Sequence, residues 1–81
     1  MKVTVKLFAA LREEMGSREF ELDLAPGSTV QELLDWMLEE YPALRPYVRS
    51  LHFALNHKYV TPQTELHDGD EVAFLPPVGG G

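Results

Sequence analysis

The sequence predicts an α+β domain in which four or five short strands close over one main helix, followed by a glycine tail. Two patterns and one physical limit predict it. Residues 2–8, 18–24, 51–55 and 71–75 alternate between apolar and polar side chains, the period of a half-buried strand. Residues 29–41 instead space their apolar side chains at helical intervals. A single helix of that length cannot bury its apolar stripe alone, so the strands must form the sheet that covers it.

The first strand turns Val3, Val5 and Leu7 one way and Lys2, Thr4, Lys6 and Phe8 the other. Ala9 to Met15 reads as a short helical or irregular link ended by Gly16. Arg18 to Leu24 alternates again, with Phe20, Leu22 and Leu24 inward, and pairs antiparallel with the first strand. Ala25-Pro26-Gly27-Ser28 is a turn. Thr29 caps the helix and Glu32, three residues on, completes a capping box. Val30, Leu33, Leu34, Met37 and Tyr41 form the buried stripe, widened by Trp36 and Leu38, and Pro42 stops the helix. Pro42 to Arg49 is a connecting segment with room for a short turn. Leu51, Phe53 and Leu55 alternate with His52, Ala54 and Asn56 on a third strand, Asn56-His57 is a tight turn, and Lys58-Tyr59-Val60 is a short strand ended by Pro62. Leu66 plugs the core. His67-Asp68-Gly69-Asp70 is a turn whose glycine suits a positive φ. On the last strand, Val72 and Phe74 oppose Ala73 and Leu75.

The 81 residues hold one core, without repeats or an internal linker, so residues 1–75 are expected to be the domain and residues 76–81 a flexible tail. The chain has no cysteine, which removes disulfides, thiolate catalysis, Cys-type zinc sites and iron–sulfur clusters. No apolar run approaches the roughly 20 residues that span a bilayer. Met1 to Lys6 lacks the apolar centre of a signal peptide, so a cytoplasmic protein is expected. A formal charge of −6 opposes nonspecific nucleic-acid binding, which needs cations to replace counterions, and favours docking on basic partners.

No internal active site is legible. His52 and His57 lie five apart across a strand end and a turn, not at the spacing of a helical metal pair, and read with His67 as surface histidines. Asp68, Asp70 and Glu71 lack the other ligand positions of a calcium loop, so no metal site is expected. No glycine loop precedes a helix to cradle phosphate, and no serine sits in a nucleophile motif.

What remains is the ending, Pro76-Pro77-Val78-Gly79-Gly80-Gly81. Two prolines favour an extended path, and glycine, without a Cβ, threads a slot too narrow for other residues. Six extended residues reach about 20 Å. The Gly81 carboxylate is thus expected to be a bare acyl group on a tether. Glycines are also what a frayed terminus or a linker remnant contains. Two apolar side chains lie on the polar faces of their strands, Phe8 on the first and Leu75 on the last. If those strands are neighbours, both belong to one exposed patch at the root of the tail, and such patches mark protein interfaces.

The element order resembles the β-grasp fold of ubiquitin-like proteins, a mixed sheet of four or five strands on one main helix. The ending Asp68-Gly69-Asp70-Glu71-Val72-Ala73-Phe74-Leu75-Pro76-Pro77-Val78-Gly79-Gly80-Gly81 resembles that of the small subunits of molybdopterin synthase, the MoaD family. Lys6 to Glu13, Gly27 to Leu33 and Ala54-Leu55-Asn56 are similar to other segments of that family. Gly79 stands at the variable position before the family's Gly-Gly.

The resemblance implies a sulfur carrier without catalytic residues of its own, the catalytic groups belonging to the large subunit. An E1-like adenylyltransferase would use ATP to form a glycyl adenylate at Gly81, and a sulfurtransferase would convert it to 1-thioglycine, a thiocarboxylate. Pro76, Pro77, Val78, Gly79 and Gly80 would carry it into the large subunit, where sulfur passes to cyclic pyranopterin monophosphate. Phe8 and Leu75 match apolar contact positions of the family, and Tyr59 falls near a third. The implied assembly is a heterotetramer, two small subunits flanking a large-subunit dimer. The same ending also fits carriers for tRNA thiolation, thiamin thiazole or cysteine synthesis, a modifier linked through Gly81 to lysines, and an interaction domain with an inert tail.

Overall fold

β1 (Lys2–Leu7) buries Val3, Val5 and Leu7 completely and leaves Lys2, Thr4 and Lys6 on its other side. The computed structural model describes residues 1–16 and 18–75; the sequence-predicted tail, residues 76–81, lies outside the described residues. A short helix, α1 (Ala9–Met15), follows β1 and anchors itself in the core through Leu11. It ends at Gly16, whose φ of 71° is left-handed and whose N–H donates to the Arg12 carbonyl at 3.0 Å.

β2 (Glu19–Asp23) returns antiparallel to β1, setting Phe20 opposite Val5 and Leu22 opposite Val3. α2 (Val30–Glu40) then crosses the apolar side of the sheet, burying Val30, Leu33, Leu34 and Met37. Its predicted capping box is present. The Glu32 N–H donates to Thr29 Oγ1 and the Thr29 N–H donates to Glu32 Oε1, each at 3.2 Å. Two of the orphan amides of the first turn are thereby satisfied.

β3 (His52–Leu55), β4 (Lys58–Val60) and β5 (Glu71–Leu75) complete a five-stranded sheet in the order β2-β1-β5-β3-β4. β5 runs parallel to β1 and antiparallel to β3, so the last strand of the chain occupies the centre. Val72 and Phe74 of β5 are fully buried, and the Phe74 ring meets Phe53 edge-on at 5.3 Å. Leu66 closes the core beside α2; its N–H donates to the Ser28 carbonyl at 2.8 Å. The turn before β5 uses Gly69 at a φ of 87°.

Three local expectations are corrected. Tyr41 is 40% exposed rather than part of the buried stripe. The helix stops at Glu40 and Tyr41 leaves helical geometry at φ −133°, ψ 75°, so its nominal i+11 position no longer points at the sheet. Residues Pro42–Ser50 form a nine-residue 3₁₀ helix, not merely a connecting turn, and it buries Leu44. Pro42 stands at its start, where a missing N–H costs nothing, and Pro46 keeps a φ compatible with the tighter turn. Leu51 precedes β3 as the cap of that 3₁₀ helix and is half-buried, because the strand begins one residue later.

Candidate functional site

The pairing of the four strands β1, β5, β3 and β4 determines what stands on the outer face of the sheet. Lys6 lies opposite Ala73, Ala73 opposite Ala54, and Ala54 opposite Tyr59. These four residues make one row across four strands, with two alanines as its floor. One step along, Leu75 lies opposite His52. Phe8 extends β1 by a residue in β conformation, φ −128° and ψ 155°, just past the Leu7–Phe74 pair. Phe8, Tyr59 and Leu75 therefore line one shallow depression over Ala54 and Ala73. Phe8 is 42% and Tyr59 69% exposed; with Tyr41, which lies outside the depression, they are the large hydrophobic side chains left most open to water among the described residues. The described chain ends at Leu75, within this patch.

Charge frames one side of the depression. Glu71 Oε2 is 3.3 Å from Lys6 Nζ, and Glu71 Oε1 is 3.6 Å from His57 Nε2. Both contacts are open to solvent, so they orient side chains more than they add stability. Tyr59 is steadied on the opposite side by His52, whose ring meets it edge-on at 6.4 Å.

The β3–β4 corner carries His57 to this rim through backbone geometry that few residues adopt. Asn56 and His57 have φ of 49° and 73°, positive at both central positions, as in the mirror-image two-residue hairpin. Asn56 tolerates this region and is tied to β5. Its N–H donates to the Glu71 carbonyl at 2.8 Å, its Oδ1 accepts from the Glu71 N–H at 3.0 Å, and its Nδ2 donates to Asp70 Oδ1 at 3.0 Å.

The structure thus brings together Phe8, Tyr59 and Leu75, which the sequence singles out from three separate segments. Pro76, Pro77, Val78, Gly79, Gly80 and Gly81 lie outside the described residues. Sequence reasoning missed Lys6, Ala54, His57, Glu71 and Ala73 as members of the site. The alternation of β5 already placed Ala73 beside Leu75, but the match of Ala73 to Ala54 depends on a register between distant strands. Among the described residues, no three His, Cys, Asp or Glu side chains converge to hold a metal, and no helix is long and apolar enough to cross a membrane.

The sequence and the fold of this chain are both shared with known proteins. The sequence pattern of the ThiS family matches residues 5–81. The chain belongs to the ThiS family. The molybdopterin synthase sulfur carrier subunit of Chlamydomonas reinhardtii is 41% identical over 83 residues, covering 100% of both chains. The crystal structure of SAMP1 from Haloferax volcanii superposes with a TM-score of 0.84 at 31% identity, again covering 100% of both chains. Subunits 1 and 2 of the molybdopterin-converting factor of Helicobacter pylori were solved as a protein–protein complex. A chain of that complex matches all of this one, with 100% of each covered, at 29% identity and a TM-score of 0.73. The fold is the ubiquitin-like β-grasp fold that this ThiS family member's element order implied, with the mixed sheet and single main helix in place.

Proposed function

We propose that this ThiS family chain is the sulfur carrier subunit of a molybdopterin synthase. The observation that carries the reading is the place where β5 ends: Leu75, the last residue before Pro76, lies in an exposed apolar patch with Phe8 and Tyr59. A partner that covers this patch takes hold of the chain where the glycine ending begins. The likeness to the Chlamydomonas carrier subunit over the whole chain, and to a member of the Helicobacter two-subunit complex, supports a large-subunit partner. The assembly we propose is a heterotetramer of two carriers on a large-subunit dimer, working in the cytoplasm.

The chemistry follows from the acyl group. A carboxylate is a poor electrophile because its charge repels a nucleophile and oxide is a bad leaving group. The Gly81 carboxylate attacks ATP on an E1-like adenylyltransferase, releasing pyrophosphate and leaving a glycyl adenylate. A persulfide on a sulfurtransferase displaces AMP to give an acyl disulfide, and a thiol then cleaves its S–S bond, leaving 1-thioglycine at Gly81 and a disulfide as the oxidised product. In the large subunit the thiocarboxylate sulfur takes the place of an oxygen on cyclic pyranopterin monophosphate, water cleaves the acyl–sulfur bond to restore the Gly81 carboxylate, and a second thiocarboxylate supplies the other sulfur of the dithiolene. Tethering keeps the sulfur at high effective concentration beside its acceptor. The bare Cα atoms of Gly80 and Gly81 leave the acyl carbon open to each enzyme in turn. The carrier binds no cofactor and supplies no acid or base; it is a co-substrate held by Phe8, Tyr59 and Leu75.

The test is intact mass after incubation with the E1-like enzyme, ATP and a sulfur donor. A gain equal to exchanging one oxygen for sulfur, mapped to Gly81 and absent after deletion of Gly80 and Gly81, is expected. Addition of large subunit and pterin precursor should then reverse the gain and yield the dithiolene. An unchanged mass, with enzymes proven active on another carrier, would overturn the proposal. The likeness to SAMP1, which Haloferax volcanii contains as a small archaeal modifier protein, favours a second use of the same activated group: isopeptide linkage of Gly81 to lysines of other proteins. Adducts in cell extract that vanish with the Gly80–Gly81 deletion are the outcome specific to that use.

A further inference from the structure

Beside the apolar patch lies a second depression of different chemistry. Lys6, Arg12, Arg18 and Glu19 line it, together with Leu7 and Phe8. Three of the seven lysines and arginines of a chain with formal charge −6 thus meet at one spot, with Glu19 in the depression and Glu71 holding Lys6 from outside it. Arg12 and Arg18 are exposed. Among the described residues, no carboxylate is within ion-pair distance of either guanidinium, whereas Lys6 is held by Glu71.

Backbone bonds anchor the two arginines at their Cα atoms. Arg12 stands next to buried Leu11 on α1, and its carbonyl accepts the Gly16 N–H that closes the helix. Arg18 is tied to the end of β1, its carbonyl accepting the Leu7 N–H at 2.9 Å. Phe8 and Lys6 line both depressions, so the basic one continues the apolar one around the Phe8 ring. A surface with unpaired arginines at the margin of an apolar patch has the layout of a protein interface, with an apolar centre and a charged rim.

We propose that the depression formed by Lys6, Arg12 and Arg18 receives an acidic segment of the protein that docks on the Phe8–Tyr59–Leu75 patch. The inference rests on the carrier reading above and specifies the partner: next to its apolar contact it presents Asp or Glu side chains. Guanidinium groups pair with carboxylates through two parallel hydrogen bonds. Glu19 in the same depression lowers its charge to a level that suits one or two carboxylates better than a polyphosphate. Rim charges act mainly on the rate of encounter. The depression therefore steers an acidic partner onto a carrier whose overall charge would repel it, and the apolar patch then holds it.

The test is association kinetics between the full-length carrier and the large subunit, at a series of salt concentrations. The variants are Arg12→Glu/Arg18→Glu, the milder Arg12→Gln/Arg18→Gln, and Phe8→Ala. Both arginines are exposed, and circular dichroism confirms the fold of each variant. The charge reversal should lower the association rate about tenfold or more at low salt and flatten or invert its salt dependence. The Gln pair should show the same change with smaller amplitude. Phe8→Ala should instead raise the dissociation rate and keep the salt slope. Wild-type rate and slope in both arginine variants, with a complex still formed, overturn this inference and leave the carrier reading standing. No complex with the wild-type protein overturns the carrier reading and this inference with it. Competition by millimolar inorganic pyrophosphate that disappears in the Gln pair would assign the depression to phosphate and overturn the acidic segment.

Discussion

The two faces of the sheet are made by the same strands and have opposite fates. On the inner face, Val5, Leu7, Val72 and Phe74 sit at 0–2% exposure beneath α2. On the outer face, the neighbouring residues of β1, β5 and β4 leave Phe8 at 42% and Tyr59 at 69%. Both faces carry apolar side chains on β5, Phe74 inward and Leu75 outward, one residue apart. Folding the chain satisfies only the first. The second stays open to water and is the surface proposed above for a partner, so one short strand faces the core on one side and the candidate site on the other.

The comparison breaks most visibly at the inner face. Phe74→Ala should cost about 3–5 kcal/mol of stability, because it deletes a fully buried ring and its edge-on contact with Phe53. Urea unfolding monitored by circular dichroism measures it. A loss under about 1 kcal/mol would show that the inner face can collapse around the void, and the contrast between the faces would weaken.

The outer face should respond the other way. Phe8→Ala and Leu75→Ala should each change stability by under about 1 kcal/mol and weaken large-subunit binding by about 2 kcal/mol, roughly thirtyfold in Kd. Calorimetric titration decides it. Equal losses in folding and binding would mean that Phe8 is a core residue at the edge of the sheet and not a contact.

A smaller effect tests how α2 is held over the inner face. Thr29→Ala removes the acceptor of the Glu32 N–H and half of the capping box, at a cost of about 1 kcal/mol. Binding to the large subunit should not change, since Thr29 starts the helix on the covered side of the sheet. A binding defect here would show that the two faces communicate.

Local patterns made much of this legible. Alternation placed Val3, Val5 and Leu7 on one side of β1, and Thr29 with Glu32 marked the start of α2 within a residue. Those signals depend on neighbours in sequence. The prolines at 42 and 46 read as breakers, yet a 3₁₀ turn tolerates them, so its nine residues were not foreseen. Tyr41 obeyed the helical spacing of a helix that ends before it. For the candidate site, Phe8 and Leu75 were conspicuous because each broke an alternation, but whether they meet rests on the parallel pairing of the first and last strands, which no local periodicity reports. Arg18 gave no signal, and Arg12 stood out only as part of the Lys6–Glu13 segment that resembles the family, with no hint that the two meet. They converge because the chain reverses at Gly16, with its left-handed φ, and that reversal brings Arg18 back to the end of β1. The Gly81 ending was legible from composition alone and lies outside the described residues.

The least change expected sharpens the comparison at the corner of the outer face. His57 stands at a φ of 73° with its side chain 85% exposed. A left-handed conformation costs a residue with a Cβ about 1–2 kcal/mol, and glycine occupies it freely. Glycine also adds about 0.5–1 kcal/mol of backbone entropy to the unfolded chain. The difference predicts that His57→Gly stabilises the fold by under about 1 kcal/mol, with a higher Tm as the readout. His57→Ala keeps the strained φ and removes the contact with Glu71, so it should give no gain. If Ala stabilises as much as Gly, the imidazole rather than the backbone is the source of the cost. If only Gly stabilises, and large-subunit binding falls with it, then the strain at this corner is retained because it aims His57 at the rim beside Glu71 and Lys6. The inner face, whose buried strand residues all keep negative φ, offers no position at which stability and binding would trade in this way.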